Sequence, residues 1–495
     1  MDAGSISAFI IYLVGMLVIG LVCYKLTKNL SDYMLGGRNL NPAVAALSAG
    51  ASDMSGWLLL GLPGAVYAAG MNQIWIGIGL VIGAYLNWQF VAKRLRAYTE
   101  IAGDAITIPD YLNNRFQDSS RILRMISAIV ILVFFTFYVS AGLVAGGLLF
   151  EQTFGLDYQV ALWVGSAVIV SYTFLGGFLA VSWTDFFQGL MMFFALIIVP
   201  VIAVSAIGSW GETTARVGEI DPSYNDVFTD MTTFGIISLM AWGLGYFGQP
   251  HILVRFMAVR SLNDVPTARL INIVWMVFAL YGAVFVGYSG IAYFADQPLD
   301  NPETVFIQFC QVLFNPWVSG FLLAAILAAV MSTIDSQLLV CSSALTEDLY
   351  RSFLRKGASQ NELVSVGRLS VVGVALVATL LATNPQVGVL DLVAYAWAGF
   401  GAAFGPVIIL SLFWRRMTRN SAAAGLIVGA ATVVVWKQLE GGIFDLYEIL
   451  PGFVFCTIAV VAVSLLESQP RGRVAADFDR VLGAARTGLM PRPVE

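Results

Sequence analysis

Thirteen apolar stretches, each near the length of a membrane-crossing helix and joined by short polar segments, dominate this sequence of 495 residues. They run approximately over 7–24, 42–68, 73–92, 122–149, 159–176, 183–207, 232–258, 271–294, 305–344, 367–383, 389–414, 421–437 and 448–466. Crossing a bilayer takes about 20 mainly apolar residues in a helix, where every backbone polar group finds its partner internally. The repetition therefore points to an all-α membrane protein with about 13 transmembrane helices. Charged residues make up only 12% of the chain, against about 25% in soluble domains. If the spans alternate from an outward N-terminus, 24 of the 26 Lys and Arg fall on the cytoplasmic side, leaving Arg216 and Lys437 outside. Such a bias is the positive-inside rule, and it sets the expected orientation: N-terminus outside, C-terminus cytoplasmic. Residues 1–467 then form a single transmembrane domain, followed by a cytoplasmic tail at 468–495 too short for a domain of its own.

Two stretches carry their own helix breakers. Residues 47–70, LSAGASDMSGWLLLGLPGAVYAAG, include Asp53, Gly56 and Pro63, and residues 232–258 include Gly243, Gly245, Gly248 and Pro250. Five spans separate their starting points. Because five is odd, a repeat of spans 2–6 over spans 7–11, approximately 42–207 and 232–414, is inverted in the membrane. Paired broken helices in corresponding halves mark a transporter whose site lies near the midplane. Their freed carbonyls can face a cation and their half-helix ends an anion. The competing use of such small residues is close helix packing.

Asp53 is the clearest single residue, since a carboxylate at membrane depth is costly and marks an ion or substrate pathway. A structural aspartate capping a half-helix is the alternative. In FLLAAILAAVMSTIDSQLL, Ser332 and Thr333 sit together in an aliphatic helix, with Ala329 on the face of Ser332. Hydroxyls plus carbonyls make a neutral oxygen cage suited to sodium, unless the hydroxyls only bond back to their own helix. Trp242 and Tyr246 share a face of the second broken span, and Tyr138 lies mid-span; they wall a solute pocket or serve as core and interfacial belt. Asp185 follows Ser182 at a helix-start spacing, and Arg38 fits a cytoplasmic charge anchor. Asp335 lies near the cation or faces the inner vestibule. His251 reads as a hydrogen-bonded core histidine, and SALTEDLYRSFLRK as a solvated amphipathic extension.

Four cysteines without paired spacing and a single histidine exclude a disulfide framework and imidazole-based zinc or haem sites. No cofactor motif, nucleophile–histidine pair or multi-carboxylate metal cluster argues for an enzyme, no repeated ring of carbonyls argues for a channel, and the tail is too short for a signalling domain. Nothing points to nucleic acid.

The stretches LSAGASDMSGWLLLGLPGAV, GGFLAVSWTD, MAWGLGYFGQPHIL, AAVMST and QLLVCSSALTEDLYR together resemble the solute:sodium symporter family, over about residues 8–467. The resemblance implies a LeuT-like five-plus-five inverted-repeat core in a bacterial inner membrane, no cofactor, and Na+ as coupling ion. It implies a sodium site of backbone carbonyls from Ala51, Met54 and Ala329 with the hydroxyls of Ser332 and Thr333. Asp53, Ser55 and Gly56 would support sodium binding and coupling, and Arg38 and Asp185 cytoplasmic ion release. L-proline is the solute it suggests, held against Tyr138, Trp242, Tyr246 and Pro250, near Trp57. Another small solute (amino acid, carboxylate or sugar), with sodium or proton coupling, is the alternative. Asp335 departs from the small polar residue of that pattern and adds negative charge near the ion path. Membrane lipids are expected partners, and the oligomeric state stays open.

Overall fold

The computed structural model describes residues 3–24, 30–175, 177–229, 231–384 and 388–490. The helices within them run, in chain order, α1 (Ala3–Tyr24), α2 (Leu30–Leu35), α3 (Pro42–Asp53), α4 (Gly61–Ala69), α5 (Ile74–Leu86), α6 (Lys93–Ile101) and α7 (Ile108–Arg115). There follow α8 (Ile122–Phe154), α9 (Tyr158–Leu175), α10 (Phe178–Ile207), α11 (Trp210–Ile220), α12 (Thr233–Met240), α13 (Pro250–Ala258) and α14 (Val265–Tyr293). The last third holds α15 (Val305–Leu313), α16 (Pro316–Ser343), α17 (Gln360–Ala382), α18 (Val389–Phe413), α19 (Arg419–Trp436), α20 (Ile449–Leu466) and α21 (Arg473–Thr487).

Ten helical runs among the described residues are long and apolar enough to cross a membrane. The second and third apolar stretches of the sequence merge into one run, Gly56–Ile101, while Tyr158–Ser171 and Thr233–Gly248 are apolar but shorter. Apolar side chains such as Ile10, Val201, Leu270 and Leu369 stay exposed on the outer surface, as a lipid-facing surface requires. The centre is α16, which packs against α1, α3, α8 and α10; Ala324 to Leu338 is buried along its whole circumference.

Both punctuated stretches are broken. Helix α3 ends at Asp53, Ser55 leaves helical geometry, a 3-10 turn covers Gly56–Leu58, and α4 starts at Gly61. Pro63 costs little because it falls in the first turn of α4, where no helical partner is lost. In the second stretch α12 passes into 3-10 geometry over Ala241–Gly248, Gln249 is extended, and Pro250 opens α13. The glycines of these breaks also pack closely. A Cβ on Gly56 would sit 2.6 Å from the Ala145 Cβ, and one on Gly245 would sit 1.9 Å from the Trp397 indole nitrogen. Breaking and packing are thus served by the same residues.

One segment differs from its sequence reading. The amphipathic extension is not solvated on both faces: Thr346, Glu347 and Asp348 are buried, with Asp348 3.4 Å from Arg124. The tail forms α21, which docks on α6 through Phe478, Val481 and Ala484. There the buried Arg115 guanidinium stacks 5.3 Å from the Phe478 ring and 5.2 Å from Tyr98, a cation–π arrangement.

Candidate functional site

The first break sets α3 and its following turn against α16. Ser332 Oγ lies 2.9 Å from the Ala51 carbonyl and 3.1 Å from that of Ala329, and Thr333 Oγ1 is 3.4 Å from the same Ala51 oxygen. The backbone N–H of Ser55 donates to Thr333 Oγ1 at 3.0 Å. Ala51, Ala329, Ser332, Thr333 and Ser55 therefore meet around one point, all but fully buried. Met54 is the residue at which α3 stops, one position past Asp53. The donor set is neutral oxygen throughout, which fits a small monovalent hard cation and offers no soft ligand. Both hydroxyls reach across to Ala51 on another helix, so the back-bond that Ser332 also makes to Ala329 within α16 is not the whole account of them.

Asp53 does not point into this ring. Its Oδ2 accepts a short hydrogen bond from the Tyr246 hydroxyl, and its main-chain oxygen accepts one from the Tyr138 hydroxyl at 3.1 Å. Its Oδ1 has no hydrogen-bond partner, and it makes no salt bridge among the described residues. Asp53 thus joins the two broken segments through its carboxylate and reaches α8 through its main-chain oxygen.

Aromatic rings extend from there. Trp57 lies 5.9 Å from Trp242, and Trp242 lies 5.5 Å from Tyr447 and 6.5 Å from Trp397, whose ring stands edge-on to Tyr246 at 5.1 Å. The Trp397 indole donates to the Trp242 carbonyl at 2.7 Å, fixing the unwound turn. Trp397 and Tyr447 were not visible as members of this wall from sequence. Pro250 also lines a cavity of about 20 Å³ shared with Ile131, Phe178, Val254 and Ser336, room for about one water.

Asp185 and Arg38 lie outside the oxygen ring. Asp185 sits two turns inside α10, so it does not cap that helix as its spacing with Ser182 suggested. Instead its Oδ2 accepts from Ser48 Oγ at 2.6 Å and from Arg255 Nη2 at 3.1 Å, and the same Nη2 donates to Ser336 Oγ at 2.6 Å. Asp185 and Arg255 are completely buried. This network joins α3, α10, α13 and α16, and Asp335, also buried, is close enough to Asp185 and Arg255 to feel their charge. Arg255 was the missing partner in the sequence reading; a lone arginine inside an apolar stretch was its signal. Arg38 precedes α3, whose 12 residues place it about 18 Å from Asp53 along the axis. It ties Asp104 at 2.9 Å, the Ala105 carbonyl at 2.7 Å and the Met257 carbonyl at 2.9 Å, closing that end of the molecule.

The α4 end is open. A cavity of about 570 Å³ there is lined by Glu151, Glu303, Asp391, Gly61, Gly64 and Tyr158 among others, with no Lys, Arg or His among the described residues that line it. Glu303 accepts from the backbone N–H groups of Val389 and Leu390, at 3.2 and 3.3 Å, capping α18 from a remote loop. Burial pushes its carboxyl above the usual carboxylate range, against those two bonds.

Finally, His251 is fully buried, as expected of a core histidine, but neither ring nitrogen has a hydrogen-bond partner among the described residues.

Comparison with known proteins gives this geometry a setting. Residues 33–429 match the Sodium:solute symporter family. The chain is 57% identical over 476 residues to the sodium/proline symporter of Escherichia coli K12, covering 95% of this chain and 94% of that one. It is 56% identical over 467 residues to the high-affinity proline transporter PutP of Bacillus subtilis 168, covering 94% and 98%. Among solved structures, a Na+-coupled sialic acid symporter in a substrate-bound outward-open state aligns with a TM-score of 0.80 at 20% identity, over 95% of this chain and 99% of that one. Mhp1, a nucleobase-cation-symport-1 family transporter, aligns at 0.57 and 13% identity, over 92% and 99%. On the family match and the extent of these identities, the chain belongs to the sodium:solute symporter family.

Proposed function

We propose that the chain carries L-proline together with Na+ across a bacterial inner membrane by alternating access, and that it is not an enzyme. The observation that carries this reading is the convergence of the Ala51 carbonyl with the Ser332 and Thr333 hydroxyls where α3 unwinds. A sodium ion bound there takes Ala51, Met54, Ala329, Ser332 and Thr333 as ligands and joins the broken segment to α16. Asp53, Ser55 and Gly56 hold the break in shape. The solute lies against Trp57, Tyr138, Trp242, Tyr246 and Pro250, with Asp53 offering its free oxygen to the amine. Ion and solute then share α3 and its turn, so each raises the affinity for the other.

The same reading takes the 13 apolar stretches as spans of one domain, residues 1–467, with a five-plus-five inverted-repeat core. It puts the N-terminus and the acidic 570 Å³ cavity outside, and the Arg38 and Asp185 networks on the cytoplasmic side, where their opening releases the ion. The energy suffices: one charge falling through 100 mV supplies about 2.3 kcal/mol, and a tenfold sodium gradient about 1.4 kcal/mol. At one-to-one coupling these allow roughly several hundred-fold accumulation.

The test is uptake of radiolabelled proline into proteoliposomes, with sodium and proton gradients imposed separately. Accumulation is expected with the sodium gradient alone. Uptake that follows the proton gradient, or ignores sodium, would reject the ion assignment; failure to accumulate proline under conditions that accumulate another small solute would reject the solute.

A further inference from the structure

We infer that His251 is a solute-binding residue, whose imidazole N–H donates to the carboxylate of the transported amino acid; this rests on the symport reading above.

The argument begins with what the imidazole lacks. A buried polar group is almost always hydrogen-bonded, because leaving it unpaired costs free energy. His251 is 0% exposed, and both Nδ1 and Nε2 are without a partner. Its ring touches Phe135 at 5.4 Å and Tyr138 at 6.2 Å, edge-on in both cases, and neither ring contact satisfies a nitrogen. Only its backbone is engaged, the carbonyl accepting from Arg255 Nη1 at 2.9 Å. A purely structural role would be filled better by phenylalanine or leucine, which carry no such cost.

Location supplies the second step. His251 stands in the first turn of α13, two residues after the extended Gln249 that ends the unwound segment. It adjoins Tyr138, whose hydroxyl reaches the main chain of Asp53. Of the other orphaned side-chain atoms on the two broken segments, Asp53 Oδ1 and Gln249 Oε1 are acceptors, and Trp57 Nε1 is a donor on the first. Acceptors suit the ammonium group of a zwitterion, but its carboxylate needs a donor. An imidazole supplies one N–H when neutral and two when protonated. His251 therefore completes, on the side of the second broken helix, the polarity that Asp53 begins on the first. The ligand class is a zwitterionic amino acid with a free carboxylate.

The experiment crosses a protein change with a solute change. Wild type, His251→Asn and His251→Leu are reconstituted, and proline and prolinamide are compared as competitors of uptake. A hydrogen bond to a charged group carries about a 10- to 100-fold preference. His251→Leu is expected to raise the apparent KM for proline by about that factor, to leave the sodium concentration for half-maximal uptake within about twofold, and to abolish the preference for proline over prolinamide. His251→Asn, which keeps a donor, is expected to retain part of it. An unchanged proline-to-prolinamide ratio in His251→Leu would overturn the assignment, even if overall activity fell. A wild type that ignores proline counts against the substrate reading instead, and the ratio is then read on the amino acid and amide pair that it does carry.

Discussion

At the scale of residues, the oxygen ring and the buried ion pair make opposite demands. Thr333 and Ser332 are valuable for their oxygens, and Thr333→Ala or Ser332→Ala is expected to raise the sodium concentration for half-maximal uptake at least tenfold, about 1.4 kcal/mol of ion affinity. Thr333→Ser, which keeps the hydroxyl, should stay near wild type, and sodium titrations of initial uptake rate decide. Arg255 is held for its charge instead. Arg255→Met strands Asp185 and Ser48 in a fully buried setting, and the expected loss is about 3–5 kcal/mol of stability. Thermal unfolding in detergent should show a marked fall for the single variant and a smaller one for Arg255→Met with Asp185→Leu, since the double variant no longer strands Asp185. The hydroxyl pair and Asp53 were legible in sequence because each is chemically out of place in an apolar run. The Asp185–Arg255 contact was not, because its partners lie 70 residues apart and neither position announces the other. The orphaned nitrogens of His251 were equally hidden, since satisfaction of a hydrogen bond is a property of neighbours alone.

At the scale of elements, the two interruptions were legible from glycine and proline together, and the structure unwinds at both. What those letters could not convey is how little room surrounds them. Gly245→Ala puts a methyl group 1.9 Å from the Trp397 indole nitrogen, so the unwound turn or the indole must shift and the bond to the Trp242 carbonyl is lost. Uptake is expected to fall by at least about tenfold, with solute affinity affected more than sodium affinity, because a neutral hydrogen bond of about 1 kcal/mol is lost along with the shape of the aromatic wall. Gly15→Ala is the control: α1 has nothing within 4 Å of that position, and the change should be silent or slightly stabilising. Parallel saturation curves for the two variants check both expectations.

At the scale of the whole molecule, hydropathy alone reveals a helical membrane protein, yet helix boundaries and the docking of the tail needed three dimensions. Helix α21 is short and carries charge on its outer face, features that also describe a solvated tail; only its seat on α6 distinguishes the two. Phe478→Ala removes the ring on which Arg115 stacks and the main apolar contact of that seat, and should release the helix. Protease cutting near residue 470 is expected to accelerate at least about tenfold, the change that about 1.4 kcal/mol of lost docking energy produces, while the transmembrane core stays intact on a gel. The cavity at the α4 end has a consequence of its own. A mouth rimmed by Glu151, Glu303 and Asp391, with no basic side chain, enriches monovalent cations above their bulk concentration and repels anionic solutes before either reaches the interior. Inert electrolyte shortens the reach of that field to about 10 Å at 0.1 M, so added choline chloride should slow the capture of sodium while leaving the grip of the oxygen ring itself untouched.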